Sequence, residues 1–264
     1  MWGTISFWLR FAAALWAAGV GVVVGLQAAE IVPRTPKLEA TVWVVSLAII
    51  GVDNVGTLIV RRLRRGRTQR QSALEKALMG MLVLMSATEQ VRFEQLGASV
   101  YVPSRLNWIR RRRQKPEQLK RILRYRPSQT PQQSGIQWTS ATGVVGACWT
   151  HQAKQYKNTY AIAAKYNGAM VLEEQFKGMP KVTRGGFTRE QFNAIAGKYS
   201  EIHAEPIWHP QRERKLIGVM TIDRAFHSNG ATFRAEFERN GLTDQAALTA
   251  KVVANALRPE RAED

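Results

Sequence analysis

The stretch from Ala40 to Arg70 constrains this chain more than any other. It opens with an apolar run, Ala40 to Val60 (ATVWVVSLAIIGVDNVGTLIV). It closes with a basic one, Arg61-Arg62-Leu63-Arg64-Arg65-Gly66-Arg67, with Arg70 just beyond. At 1.5 Å per residue, an apolar helix of about 20 residues matches the roughly 30 Å hydrocarbon core of a bilayer. Arginines clustered past such a run hold that end in the cytoplasm. The stretch therefore predicts a transmembrane helix over residues 40–60, followed by a cytoplasmic module.

A second apolar run, Thr4 to Leu26, precedes it and is interrupted once, by Arg10. It is longer than the apolar core of a signal peptide, its charge lies inside it, and no A-x-A cleavage site follows. It predicts a first transmembrane helix over residues 4–26. The loop Gln27 to Glu39 carries two acidic and two basic residues, so it has no basic excess. By the positive-inside rule it is external and both termini are cytoplasmic, which places the protein in the cell (inner) membrane. Trp2, Trp8 and Trp43 lie toward the ends of the two runs, where indole rings favour the interface. Residues 1–66 thus read as a two-helix hairpin with a basic exit.

Inside that hairpin Arg10 and Asp53 are the ionisable residues at depth. Asp53 is about 12 Å from the basic end of its helix, and Arg10 is at a similar depth on the antiparallel partner. A charge there is costly unless paired, so the expectation is an Arg10–Asp53 pair that locks the hairpin. Gly21 and Gly25 form a GxxxG step that permits close helix packing.

Residues 67–96 read as a linker helix. Leu74, Leu78, Met81, Leu82 and Met85 fall on one stripe, and Ser72 with Glu75 has capping-box spacing. After Gly97 the period changes. Ala98–Pro103 reads as a strand. Ser104–Gln118, with Arg110 to Arg113 and Lys115, reads as a solvated basic loop. Leu119–Arg126 reads as a strand or a helical turn. Gly143–His151 (GVVGACWTH) reads as a helix capped by Thr142, and Thr188–Lys198 as one capped by Thr188 with Gln191 three residues on. Tyr199–Trp208 and Lys215–Asp223 have hairpin grammar. A closing helix over Thr243–Leu257 turns Leu248, Val252 and Val253 inward. This order predicts an α+β domain with one antiparallel sheet over residues 97–258.

Two segments resemble GAF domains. SGIQWTSATGVVGACWTH (Ser134–His151) is similar to the strand-then-helix entry, where a Gly-Val-Val-Gly step opens the helix covering the sheet. KYSEIHAEPIWHPQRERKLIGVMTIDRAF (Lys198–Phe226) is similar to the central hairpin, and ASVYVP to the first strand. The resemblance spans about residues 68–257. It implies a six-stranded antiparallel sheet flanked by helices, a small-molecule pocket beneath the covering helices, and a homodimer joined through the first and last helices. The fold class expected is α+β: a two-helix N-terminal transmembrane hairpin followed by a GAF-like domain.

The candidate ligand contacts in the implied pocket are Trp138, Thr142, Trp149, His151 and Tyr160. Asp223 and Arg224, ending GVMTID, are expected to brace the next loop. Cys148 is the only cysteine, which excludes a disulfide framework and a multi-thiolate metal site within one chain. His151, His203, His209 and His227 lack ligand-like spacing, and no P-loop, HExxH, GxSxG or kinase signature occurs. No metal or catalytic residue is assigned, and the sequence names no cofactor.

The formal net charge is +18, most of it beyond Arg61. Beside a membrane exit such charge serves topology and attraction to anionic headgroups near Arg61–Arg70. Nucleic acid is not expected, since no recognition motif accompanies the charge. The function expected is a membrane-anchored, non-catalytic sensory or ligand-binding protein acting through its linker helix. The rival expectations are a membrane-disrupting effector gated by a bound signal, and a ligand-free dimerisation scaffold.

Overall fold

The computed structural model describes residues 68–88, 91–212, 214–227, 237 and 242–257, with isolated positions between 16 and 29. The chain divides into two units, Met1–Gln69 and Arg70–Asp264. The expected hairpin, with Arg10 and Asp53, lies outside the described residues apart from those isolated positions. Among the described residues no helix is long and apolar enough to cross a membrane.

The second unit opens within helix α1 (residues 68–88). Its stripe Leu74, Leu78, Met81, Leu82 and Met85 is at most 4% exposed. Ser72 lies inside this helix rather than at its start, and Glu75 accepts a hydrogen bond from Gln71 instead. The helix has ended by Val91, short of Leu96. Thr88 Oγ1 donates to the Leu84 carbonyl in the last described turn, and Ser86 Oγ donates to the Val91 carbonyl just beyond it. A 3-10 turn, Phe93–Gln95, leads into strand β1 (Leu96–Pro103). Leu96 pairs with the sheet, opposite Arg224, which is why the helix cannot claim it.

The remaining elements are α2 (Asn107–Arg112), β2 (Gln118–Tyr125), β3 (Trp138–Thr139), α3 (Gly143–His151), β4 (Gln155–Asn158) and α4 (Tyr160–Tyr166). Then come α5 (Glu173–Gly178), α6 (Lys181–Arg184), α7 (Arg189–Asn193), β5 (Tyr199–Trp208), β6 (Leu216–Ala225) and α8 (Leu242–Leu257). The basic segment expected as a loop therefore holds the short helix α2. Leu119–Arg126 resolves as a strand, because β1 supplies a partner along its length. The strands form one sheet in the order β3-β2-β1-β6-β5-β4, every neighbouring pair antiparallel. A six-stranded antiparallel sheet with helices on both faces agrees with the GAF-like α+β expectation.

Strand alternation assigns the two faces. Leu96, Ala98 and Val100 of β1 join Met220 and Ile222 of β6, the α1 stripe and α8 in one apolar core. Each fully buried leucine there stabilises the fold by about 1.5–3 kcal/mol. The α8 contribution differs from expectation. Ala246, Ala250, Val253 and Ala254 face inward, while Leu248 and Val252 are 62% and 54% exposed. Small side chains let the helix sit close to its neighbours, and this turns the larger Leu248 and Val252 outward. On the opposite face Tyr101, Leu119, Val219 and Ala204 pack against Val144, Val145 and Cys148 of α3. A third cluster, Val171, Phe176, Phe192 and Ala196, holds the segment from α5 to α7 together.

Candidate functional site

A cavity of about 70 Å³ lies between the sheet and its helical cover. One water-sized group needs about 10–15 Å³ on this measure, so the cavity admits about five to seven of them. The floor is made by alternate residues of four strands. Ser99 and Tyr101 come from β1, Arg121 from β2, Thr221 and Asp223 from β6, and Ile202 from β5. Register sets Ser99 opposite Thr221, Gly97 opposite Asp223 and Tyr101 opposite Arg121.

The cover exists because two glycines allow backbone to meet backbone. A Cβ at Gly146 would lie 2.5 Å from the Thr139 carbonyl oxygen, so only glycine lets α3 settle onto the end of β3. Gly186 has φ +71°, and a Cβ there would overlap the Ala141 carbonyl oxygen. The Gly143 amide donates to the Gly185 carbonyl at 2.7 Å, fastening the start of α3 to the residues after α6. Lys157 of β4 completes the fastening. Its Nζ donates to the Val182 carbonyl at 3.0 Å, and burial lowers its pKa. Thr188 and Gln191 form the expected capping box at the start of α7, which places Phe192 in the cavity wall.

Charge within the cavity is uneven. Asp223, at one end, forms an ion pair with Arg126. Burial lowers the Arg126 pKa to about 10, which still leaves it charged at neutral pH. Its guanidinium lies 5.9 Å from the Tyr199 ring centre. At the other end Arg121 stands beside the Tyr101 phenol. Burial raises the Tyr101 pKa, with Arg121 pulling it partly back, so the phenol remains a proton donor. Among the described residues Arg121 forms no ion pair with a carboxylate.

Of the five residues expected at the site, Trp138 lines the cavity and the other four do not. The Trp138 indole stands edge-on to Tyr101 and to Phe187, with centroids 5.5 and 5.9 Å away. Its Nε1 is buried and has no hydrogen-bond partner among the described residues. Thr142 is buried as the residue preceding α3, but its hydroxyl pairs with that of Thr139 at 2.5 Å and makes no cap bond. Trp149 turns away and donates to Glu117 at 3.0 Å. His151 is exposed at the far end of α3. Tyr160 packs against Phe226 at 5.5 Å. Cys148 is fully buried and its thiol is pushed up to about 12. Asp223, expected to brace a loop, instead faces the cavity, whereas Arg224 reaches Glu201 and Gln95 on the other face.

Sequence reasoning missed Ser99, Arg121 and Thr221. The available signal was a single polar residue inside an apolar strand, Ser99 in ASVYVP and Thr221 in GVMTID. Among the described residues no group of three or more His, Cys, Asp or Glu side chains could hold a metal ion.

No family model matches the chain, and no curated protein matches it. Several solved structures are similar. One is the GAF domain of a two-component sensor histidine kinase from Bacillus halodurans, with 14% identity, 68% of this chain and 92% of that one covered, and a TM-score of 0.39. Another is the GAF domain from Acinetobacter phosphoenolpyruvate-protein phosphotransferase, with 14% identity, coverage of 75% and 93%, and a TM-score of 0.35. A third is the reduced form of fRMsr of Staphylococcus aureus, with 14% identity, coverage of 73% and 95%, and a TM-score of 0.34. The fold assignment rests on the strand order and on the helices either side of the sheet.

Proposed function

We propose that this chain is a non-catalytic sensor, anchored in the membrane by its N-terminal hairpin, whose GAF-like domain binds a small molecule. The observation that carries the reading is the covered cavity, apolar along its walls and lined at its floor by a few polar side chains. That is the usual form of a small-molecule site. The signal would leave through α1. Ser99 and Tyr101 face the cavity while their neighbours Ala98 and Val100 belong to the core that holds the α1 stripe. A ligand that shifts β1 acts on both faces at once.

Homodimerisation belongs to the same reading. Met79, Val83 and Leu84 of α1 and Leu248 and Val252 of α8 are 46–62% exposed. Gln245 reaches Thr88, so the start of α8 lies beside the end of α1 and the two helices present apolar residues together. The basic exit over Arg61–Arg70 would lie against anionic headgroups. Native mass spectrometry of the full chain, purified from lysate in mild detergent, tests the reading. A co-purifying small molecule is the expected result. A chain that stays at its bare mass, and whose melting temperature no member of a metabolite library raises, would leave only a dimerisation scaffold.

A further inference from the structure

Four hydrogen-bond donors occupy one end of the cavity. Arg121 carries up to five N–H donors in a planar fork. The Tyr101 phenol is beside it, and Ser99 lies next along β1 on the same face. The Trp138 N–H is buried without a partner among the described residues, although Trp138 lines this cavity and a buried indole N–H is normally satisfied. Indole N–H and guanidinium are donor-only groups; Arg121 and Ser99 both reach the Tyr101 hydroxyl, and the indole N–H is left needing an acceptor.

The one acid in the cavity wall is already neutralised. Asp223 pairs with Gly97 in the register and Tyr101 with Arg121, four residues apart on β1. At about 3.3 Å per residue their backbones are about 13 Å apart, with Ser99 between them. Arg126 takes the Asp223 charge. Lys157 is spent on the cover, bound to the Val182 and Thr183 carbonyls. Arg121 is therefore a cation in a mostly apolar enclosure with no carboxylate to balance it among the described residues. Such a cation is worth most when it meets a charged, planar acceptor that its fork can grip.

We infer that the cavity takes a small organic anion, with a carboxylate or phosphate head against Arg121, Tyr101 and Trp138 and a compact apolar body against Phe187 and Phe192. The inference rests on the cavity being a ligand site and adds the chemical class of the ligand. The volume of about 70 Å³ confines the body to the size of a single ring.

Isothermal titration of the full chain in detergent with benzoate, phenyl phosphate and the neutral isostere benzamide is the test. The expected result is binding of at least one anion, at least tenfold tighter than benzamide. Arg121→Met should erase that preference, and Arg121→Lys should restore part of it. Equal affinity for benzamide and the anions, or an undiminished preference in Arg121→Met, would overturn the anion assignment and leave the ligand site standing. Binding of none of the three would overturn the anion assignment, and the metabolite-library screen then decides the ligand site itself. The comparison of anion with benzamide in the native chain needs no variant, so a misfolded Arg121→Met does not block the decision.

Discussion

The two faces of the sheet solve different problems. The face toward α1 and α8 is closed by continuous helices whose apolar stripes meet an apolar sheet surface. The face toward α3 is closed by short pieces, α5 to α7 with their glycine-bearing turns, over a floor that holds Ser99, Arg121, Thr221 and Asp223. Long helices maximise burial and leave no space. Short elements bury less and can surround a cavity. Alternate residues of β1 serve each face, so the closed core and the cavity are segregated by face rather than by position along the chain.

The contrast breaks first on the core face. Leu82→Ala, at a fully buried position, should cost about 2–5 kcal/mol, read as a loss of global stability in urea unfolding. Gly186→Ala comes next, at about 1–3 kcal/mol, because alanine at φ +71° is strained and meets the Ala141 carbonyl. Its signature should be local. Hydrogen exchange should quicken over residues 181–196 while the α1 amides stay protected, and equal quickening in α1 would mean the faces are not separable.

Glu201 sharpens the comparison through pH. It is fully buried and accepts from Tyr156, Arg224 and the Phe237 amide. Burial raises its pKa above the ordinary 4.5, with those hydrogen bonds opposing. The folded state thus holds this proton more tightly than the unfolded chain. The resulting stability is complete below about 4.5 and is lost as pH rises through the folded value. Glu201→Gln removes the effect, so the native chain should lose stability relative to the variant as pH rises from there. Parallel stability curves for the two between pH 4 and 7 would exclude it. The smallest change in stability, within about 0.5 kcal/mol, is expected for Val83→Glu with Leu248→Lys on the exposed stripe. Light scattering should nevertheless show the proposed dimer replaced by monomers in this variant, and an unchanged assembly would remove that stripe from the interface.

Much of the fold was legible because it depends on local grammar. The Tyr199–Trp208 strand, the helix Gly143–His151 and the Thr188–Gln191 cap stand where turn residues, alternation and capping chemistry put them. The buried stripe of α1 followed from its spacing alone. The site was less legible. Trp138 was named, but Thr142, Trp149, His151 and Tyr160 each turn to other partners. Proximity along the chain to a covering helix says nothing of which way a side chain points.

What the sequence determined by itself is periodicity: which residues alternate, which fall on a helical stripe, and where glycine and threonine end one element and begin another. Those are properties of neighbours a few positions apart. Only the tertiary structure decided that Arg121 meets Tyr101, that Arg126 neutralises Asp223 across 97 residues of chain, and that α8 turns its alanines inward and Leu248 outward. Each of those outcomes depends on sheet order and on how closely a helix can approach the sheet. Neither quantity is carried by any short stretch of residues.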